Sequence, residues 1–485
     1  MKLVKSLLLA TAGGLVAVSG ASAADLGGIK KPAPAEYVRV CNAYGAGFFY
    51  IPGTQTCLRV SGRARWESEW VTPKNANDGN SGGFGYRAIG RLAFDARTQS
   101  EYGPVRAFVR IDTAYRSGRY ASGSTRSIGQ GFRVGAGGEN PGTGYELAQT
   151  QVDLESAFIQ FAGFTAGRLA TFFEFGSDQS FRGVGGAQGF SVTQLAYTAT
   201  FGSGFSATLA IEDPINRRQA VGFLNPLFGG AGQPYLGAVG PAVITGGNYI
   251  SGGSYYGGNK AIPDIVGVLR VDQGWGSAQL SGVLHAVNYG FAQNGVNPDT
   301  DYGYAVQGGV KVNLPMLAPG DNIRVQATYA SGVIQSVVSG FCGYATLSIC
   351  GIGIGKGVGS SFLGGAAAVD AVYDINGNTK LTTSYGAIAY LTHYWTPTIR
   401  QTLGGAYLKL DYSNSTGLAS NSLWTASTAV IWSPVKDLDI GAEVLYANAR
   451  AGNGFATNGK TKYTDGAGGA SGDQWGFRLR IQRDF

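Results

Sequence analysis

Polar and apolar residues alternate with a period of two in segment after segment of this chain. From Cys57 to Glu67 it reads C-L-R-V-S-G-R-A-R-W-E. Arg59, Ser61, Arg63, Arg65 and Glu67 share one parity, and Leu58, Val60, Ala64 and Trp66 share the other. Arg87 to Arg97 repeats the pattern, with Arg87, Arg91, Asp95 and Arg97 set against Ala88, Leu92, Phe94 and Ala96. Arg106 and Arg110 alternate with Val105, Ala107, Val109 and Ile111. At the far end Gln474, Arg478, Arg480, Gln482 and Asp484 alternate with Trp475, Phe477, Leu479, Ile481 and Phe485. This is the signature of β-strands with one wet and one apolar face.

A soluble sandwich alternates in the same way, so the connections decide. Short links at Ser100–Pro104, Ala162–Thr165, Gly202–Gly204, Gln273–Gly276, Leu314–Gly320, Thr392–Pro397 and Ser433–Lys436 take turns with long ones. The long links are Thr72–Gly83, Ser117–Thr150, Glu174–Thr193, Asp213–Ile262, Gly290–Thr300, Gly332–Thr379, Ser413–Asn421 and Ala449–Ser471. Short turns on one side and long loops on the other are the rule for transmembrane β-barrels. Seven short and eight long links join sixteen strands. An all-β, sixteen-stranded antiparallel transmembrane β-barrel over residues 57–485 is the fold the pattern predicts. It must close, because an open sheet edge in lipid leaves backbone groups unpaired. Its lumen is water-filled, because only about eight strands make a barrel that its own side chains can fill.

Composition narrows the class further. Charged residues are 14% and Gly is 79 of 485, against about 25% and about 7% in ordinary globular chains. Mean hydropathy is zero, which excludes a helical membrane protein with repeated apolar runs of about 20 residues. The single apolar run, Leu7 to Val18, follows Lys2 and Lys5 and precedes Ala21-Ser22-Ala23. That layout predicts a cleaved secretory signal over residues 1–23. Residues 24–56, which do not alternate, are expected as a segment on the periplasmic side. The net charge of +7 is carried by scattered Arg rather than by basic runs, so nucleic acid is not an expected partner. Four cysteines in an exported chain predict local disulfides, Cys41 with Cys57 and Cys342 with Cys350.

Several motifs match enzyme or metal patterns without their context. Gly454-x4-Gly459-Lys460-Thr461 fits a P-loop, but Gly-rich sequence rather than a helix follows it. Gly79-Asn80-Ser81-Gly82-Gly83 fits a nucleophile elbow, but the chain has two histidines in all, His285 and His393, and neither has an evident Ser partner. Asp374-x-Asn376-x-Asn378 begins like a calcium loop and then departs from it at Thr379 and Tyr385. No enzyme, metal or cofactor is expected, and both histidines read as structural.

The block Ala35 to Cys41, then Tyr44 to Thr54, then Cys57-Leu58-Arg59-Val60, resembles the opening of the alpha-proteobacterial general porins. Ala157 to Arg168 and the ending Arg478 to Phe485 resemble them too. The resemblance implies a homotrimer in the outer membrane of a Gram-negative bacterium, bounded by lipid and passing small hydrophilic solutes passively. It also implies that the third long loop, Glu174–Thr193, folds into the lumen. Gly62, Ala64, Ala88 and Gly90, small and outward, are where neighbouring walls would approach, and Phe485 is implied as an assembly signal.

The expected constriction follows from the charges. Arg59, Arg63, Arg65, Arg87, Arg91, Arg97, Arg106, Arg110 and Arg168 are assigned to the inward face, since Arg facing lipid at mid-membrane costs about 2–4 kcal/mol. The alternative for any one of them is that it merely pairs with Glu67, Asp95 or Asp112 and does no filtering. Glu174 and Asp178 in the third loop are expected to face this wall, making a pore filtered by width and fixed charge. The alternative reading is a substrate-specific outer-membrane channel. A barrel enzyme would need a histidine set that is absent, and an adhesin would use outer loops less Gly- and Ser-rich than these.

Overall fold

The computed structural model describes residues 39–71, 83–118, 127–131, 148–176, 181, 190–218, 220–225, 235–236, 262–288, 299–338, 369–373, 378–412, 420–451 and 470–485. Sixteen long strands form the wall. They are β1 Cys57–Val71, β2 Gly83–Ser100, β3 Gly103–Gly118, β4 Ala148–Phe161, β5 Phe164–Ala170, β6 Ser191–Gly202, β7 Phe205–Glu212 and β8 Asp264–Gln273. The second half comprises β9 Gly276–Val287, β10 Asp301–Asn313, β11 Asn322–Ser331, β12 Thr383–Thr396, β13 Ile399–Asp411, β14 Asn421–Val435, β15 Leu438–Ala451 and β16 Ala470–Asp484. Each pairs antiparallel with the next. β16 returns to β1, from Arg63↔Asp484 to Val71↔Gly476, so the ladder is closed.

The seven short connections all fall at one end of this barrel and the eight long ones at the other. The tightest are two-residue turns. Ala162-Gly163 and Ser203-Gly204 have positive φ at both positions, the geometry whose twist matches a hairpin. A side chain on Gly204 would run into the Asp272 carbonyl of β8, so the turn also needs glycine for close approach.

Alternation sorts the two faces as the sequence predicts. Leu92, Ile159, Leu195, Leu209, Leu269, Leu280 and Leu479 are exposed on the outer wall. Outward aromatics mark both rims: Tyr102, Phe161, Phe164, Tyr197, Trp275 and Trp395 at the short-turn end, and Tyr86, Tyr115, Tyr302, Tyr329, Trp424 and Trp475 at the other. An apolar band between aromatic girdles is the outer surface of a membrane barrel.

The inner face is not uniformly wet. One buried apolar cluster joins Phe173 of the third long connection, Val266, Val283 and Ala305 of β8–β10, and Leu408, Leu410 and Leu423 of β13–β14. Val333, Ile334 and Val337 belong to the same cluster; they flank and form a one-turn helix, α1 (Gln335–Val338), just after β11. The sixth connection therefore turns inward at its start. Segments of the fourth and sixth connections also build a small sheet, in which Ala220–Asn225 runs parallel to Val369–Tyr373 and the latter pairs with Thr379–Leu381.

Before β1, Phe49 and Tyr50 pair with Leu58 and Cys57. The predicted Cys41–Cys57 disulfide is present, with Cα atoms 5.9 Å apart. Cys342 and Cys350 lie outside the described residues, as do Gly454–Thr461 and most of the other two enzyme-like motifs.

Candidate pore-lining site

β1 to β4 and β16 are neighbours, and their inward parity carries Arg59, Arg63, Arg65, Arg87, Arg91, Arg97, Arg106, Arg110, Arg116, Arg478 and Arg480. The register sets several of these cations directly opposite one another: Arg63↔Arg91, Arg87↔Arg116 and Arg97↔Arg106. Like charges across a ladder repel, and the wall resolves this with interleaved carboxylates. Glu67, fully buried, accepts from Arg87 Nε at 2.7 Å and from Arg480 Nε at 2.5 Å. Arg91 makes a two-pronged pair with Asp112 at 2.7 and 2.6 Å. Arg63 pairs with Asp484 at 2.5 Å, Arg110 with Glu155 at 2.9 Å and Arg478 with Glu69 at 2.6 Å. Pairing with Glu67, Asp95 and Asp112, weighed as the alternative to a filtering role, is present, and Glu69, Glu155 and Asp484 extend it. Such forked pairs fix the guanidinium planes as well as the charge.

The third long connection lies against both sides of this interior. Phe175 N donates to Gln307 Oε1 of β10 at 2.7 Å, and the Arg270 guanidinium of β8 lies 5.5 Å from the Phe175 ring. Six residues later the Phe181 carbonyl accepts from Arg478 at 2.8 Å and Arg480 at 2.6 Å, while Arg480 stacks 4.3 Å over its ring. The same connection thus touches β10 at Phe175 and β16 at Phe181.

Its root is held by a buried charged network. Arg217, from the fourth connection, donates to Asp264 at 2.7 Å, to Glu212 at 2.7 Å and to Thr171 Oγ1 at 3.0 Å. Thr171 Oγ1 donates in turn to Glu212 at 2.8 Å, and His285 Nδ1 lies 2.6 Å from Asp264. Arg217, Glu212 and Asp264 are fully buried. Sequence reading assigned His285 an inward, structural place, which is where it stands. It missed Arg217, whose only signal was a charged pair, Arg217-Arg218, at the start of a long loop.

Two expectations are corrected. Arg168 is not on the pore wall. Phe164 of β5 packs outward on Tyr197 at 4.9 Å, Thr165 is buried, and Arg168, four residues on, shares the face of Phe164. It stands opposite Thr193, which is exposed, and its Nε donates to the Leu154 carbonyl at 2.8 Å. Glu174 does not face the Arg wall either. It is turned toward Gln307 at 3.4 Å, on the opposite side of the barrel. Its Oε1 is enclosed without a hydrogen-bond partner among the described residues, and burial pushes the carboxyl up to about 8 despite Arg217 and Arg324 nearby. Asp178 lies outside the described residues.

A closed sixteen-stranded barrel, apolar outside and lined within by paired charges, is an outer-membrane channel protein. Comparison with known proteins places it within that class. The model of the Porin subfamily matches residues 28–471, and the chain belongs to that family. Porin Omp2a of Brucella melitensis is 31% identical over 335 residues, covering 64% of this chain and 82% of the relative. Porin Omp2b of Brucella suis is 32% identical over 289 residues, or 58% and 65% of the two chains. Among solved structures, the outer membrane channel DcaP of Acinetobacter baumannii shares the fold, with a TM-score of 0.56 at 14% identity over 90% of this chain and 99% of that one. The protein is a porin of the Gram-negative outer membrane, a channel and not an enzyme.

Proposed function

We propose that the channel passes small hydrophilic solutes and ions by passive diffusion, and that the third long connection sets its narrowest point. The observation that carries this reading is that the connection is held at Phe175 by Gln307 of β10 and at Phe181 by Arg478 and Arg480 of β16. The open passage then lies between that segment and the ladder of β1–β4, where an ion moves beside fixed charge at close range. The segment screens by width and the ladder by charge. The subunits assemble as a homotrimer through the outward small residues Ala64, Ala88 and Gly90 of β1 and β2; Gly62, expected with them, is covered by the Phe485 ring. The outward apolar band meets lipid.

The inward turn of the sixth connection, with Ile334 and Val337 packed among Leu408 and Leu410, favours a second reading in which the mouth is narrowed enough to select particular solutes. Replacing the anchor at Phe181 tests the first reading. Arg478→Gln with Arg480→Gln frees the Phe181 carbonyl, and single-channel conductance and the size cut-off in liposome swelling should both rise. Unchanged conductance and cut-off would place the constriction elsewhere. Swelling rates that follow solute size alone favour the general pore, and rates that single out one solute class favour the selective one.

A further inference from the structure

We propose a second oxyanion-binding station in the lumen, at the short-turn (periplasmic) end, built by Arg59, Arg97 and Arg106 around Asp95 and floored by the disulfide-closed segment Cys41–Cys57. It is distinct from the anchor at Phe181. Arg87, which pairs with Glu67 beside the loop anchor Arg480, is eight residues from Asp95 along β2, about 26 Å of strand.

The argument is a count of lone pairs. A carboxylate offers about four acceptor positions. Asp95 fills them with two forks: Arg97 donates at 2.9 and 2.8 Å, and Arg106 at 3.0 and 3.0 Å. Arg59 arrives third. Its nearest nitrogen is 3.8 Å from Asp95, an ion pair without a hydrogen bond, and its Nε is enclosed with no hydrogen-bond partner among the described residues. Three guanidiniums on one buried carboxylate leave an excess of two positive charges, and Arg59, 41% exposed at its side chain, presents it to the lumen.

The surroundings hold these cations in place. The Phe48 ring, 2% exposed, lies 5.1 Å from the Arg59 guanidinium and 5.0 Å from that of Arg97, and Tyr44 lies 5.6 Å from Arg97. Phe108 and Phe158 flank Arg106 at 5.1 and 5.3 Å. Rings under guanidiniums orient them without spending their N–H donors. Phe48 is itself fixed by the Cys41 N–H to Phe48 carbonyl bond at 2.9 Å and by the disulfide. The free donors of Arg59, set beside an unspent charge, suit a carboxylate or phosphate group of a passing solute. In a diffusion channel such a station raises the local concentration of anions at the exit.

Single-channel recording of the full-length channel tests this, with citrate or pyrophosphate added to each compartment in turn at low salt. The wild-type channel should show side-dependent block by at least one of the two. The more potent of them identifies the group preferred. Arg59→Gln should weaken that block about ten-fold, the loss of one charged hydrogen-bonding group, while Arg59→Lys keeps most of it. Lys436→Gln, which removes an exposed cation from the same rim, should leave block unchanged. Heat-dependent mobility in SDS confirms that each variant is folded. Absence of block in the wild type, equal block in Arg59→Gln, or equal loss in Lys436→Gln would overturn the proposal.

Discussion

At the scale of single residues, two groups decide how the third connection is held. Arg217 bridges two fully buried carboxylates, Glu212 and Asp264, and also touches Thr171 at the root of the loop. Breaking a buried pair by removing one partner costs about 3–5 kcal/mol, because the remaining charge is stranded. In Arg217→Met that cost falls on the paired ends of β7 and β8, Glu212 and Asp264, and on the loop root at Thr171, and leaves the other strands paired. The expected result is a folded barrel whose open-channel noise and protease cleavage near Thr171 both rise; a quiet, resistant channel would refute it. Glu174 acts through its proton. Its carboxyl is raised from 4.5 to about 8 by burial, so the docked loop holds a proton that the released loop would lose. The docked state is fully favoured below about pH 4.5 and loses that advantage as pH climbs toward about 8. Loop release, read as noise or cleavage, should therefore increase between about pH 5 and 9, and Glu174→Gln should abolish the trend. An equal trend in the variant would show that another group titrates.

At the scale of elements, the seam between β16 and β1 closes the barrel. The Gly62 N–H donates to the Phe485 carbonyl at 2.8 Å and the Phe485 N–H to the Gly62 carbonyl at 3.0 Å, with the Arg63–Asp484 pair beside them. The Phe485 ring covers Gly62 so closely that a side chain there would strike it. Deleting Phe485 removes two ladder bonds and the aromatic cap of the seam, yet the ring points away from the lumen. Outer-membrane levels of the truncated chain should fall sharply while its surviving pores conduct normally; normal levels would refute this. The strands were legible because alternation is enforced by two solvents, lipid and water, along their whole length: Arg87 to Arg97 sits inside Gly83–Ser100. Facing was legible wherever several polar residues share a parity. It failed at Arg168, a single cation in a seven-residue strand, where the outward anchor is Phe164 on Tyr197 and not the charge. The break in register between Arg110 and Ile111 of β3, opposite Ser156 and Leu154 of β4, lies beside the Leu154 carbonyl that Arg168 reaches, and a bulge leaves no mark in the residue pattern. The inward fold of the third connection was expected from the family resemblance alone, and the inward turn of the sixth was not expected, for a different reason. Their contacts, such as Phe181 on Arg480 or Val337 among Leu408 and Leu410, join residues far apart in sequence and carry no period.

At the scale of the whole molecule, the charges of the lumen set the sign of its selectivity. The ladder of β1–β4 and β16 holds eleven inward arginines among the described residues. Against them stand seven carboxylates, Glu67, Glu69, Asp95, Asp112, Asp153, Glu155 and Asp484, which leaves an excess of four positive charges. Pairing lowers the field of each arginine without cancelling this excess. The acid expected to oppose it, Glu174, is turned to the other wall and is largely protonated near neutrality, so it subtracts little. An ion that passes between the third connection and the ladder within about a screening length, 8–10 Å near physiological salt, feels that excess. The channel should therefore prefer anions in a salt gradient. Neutralising Arg63, Arg91 and Arg110 together frees Asp484, Asp112 and Glu155 of their partners and cuts the excess from four to one, so the reversal potential should move toward cations without crossing zero. At about 1 M salt, where screening shortens to about 3 Å, both the preference and the shift should shrink. A cation-preferring wild type, or a reversal potential unmoved by the triple variant, would mean that ions pass out of reach of this ladder.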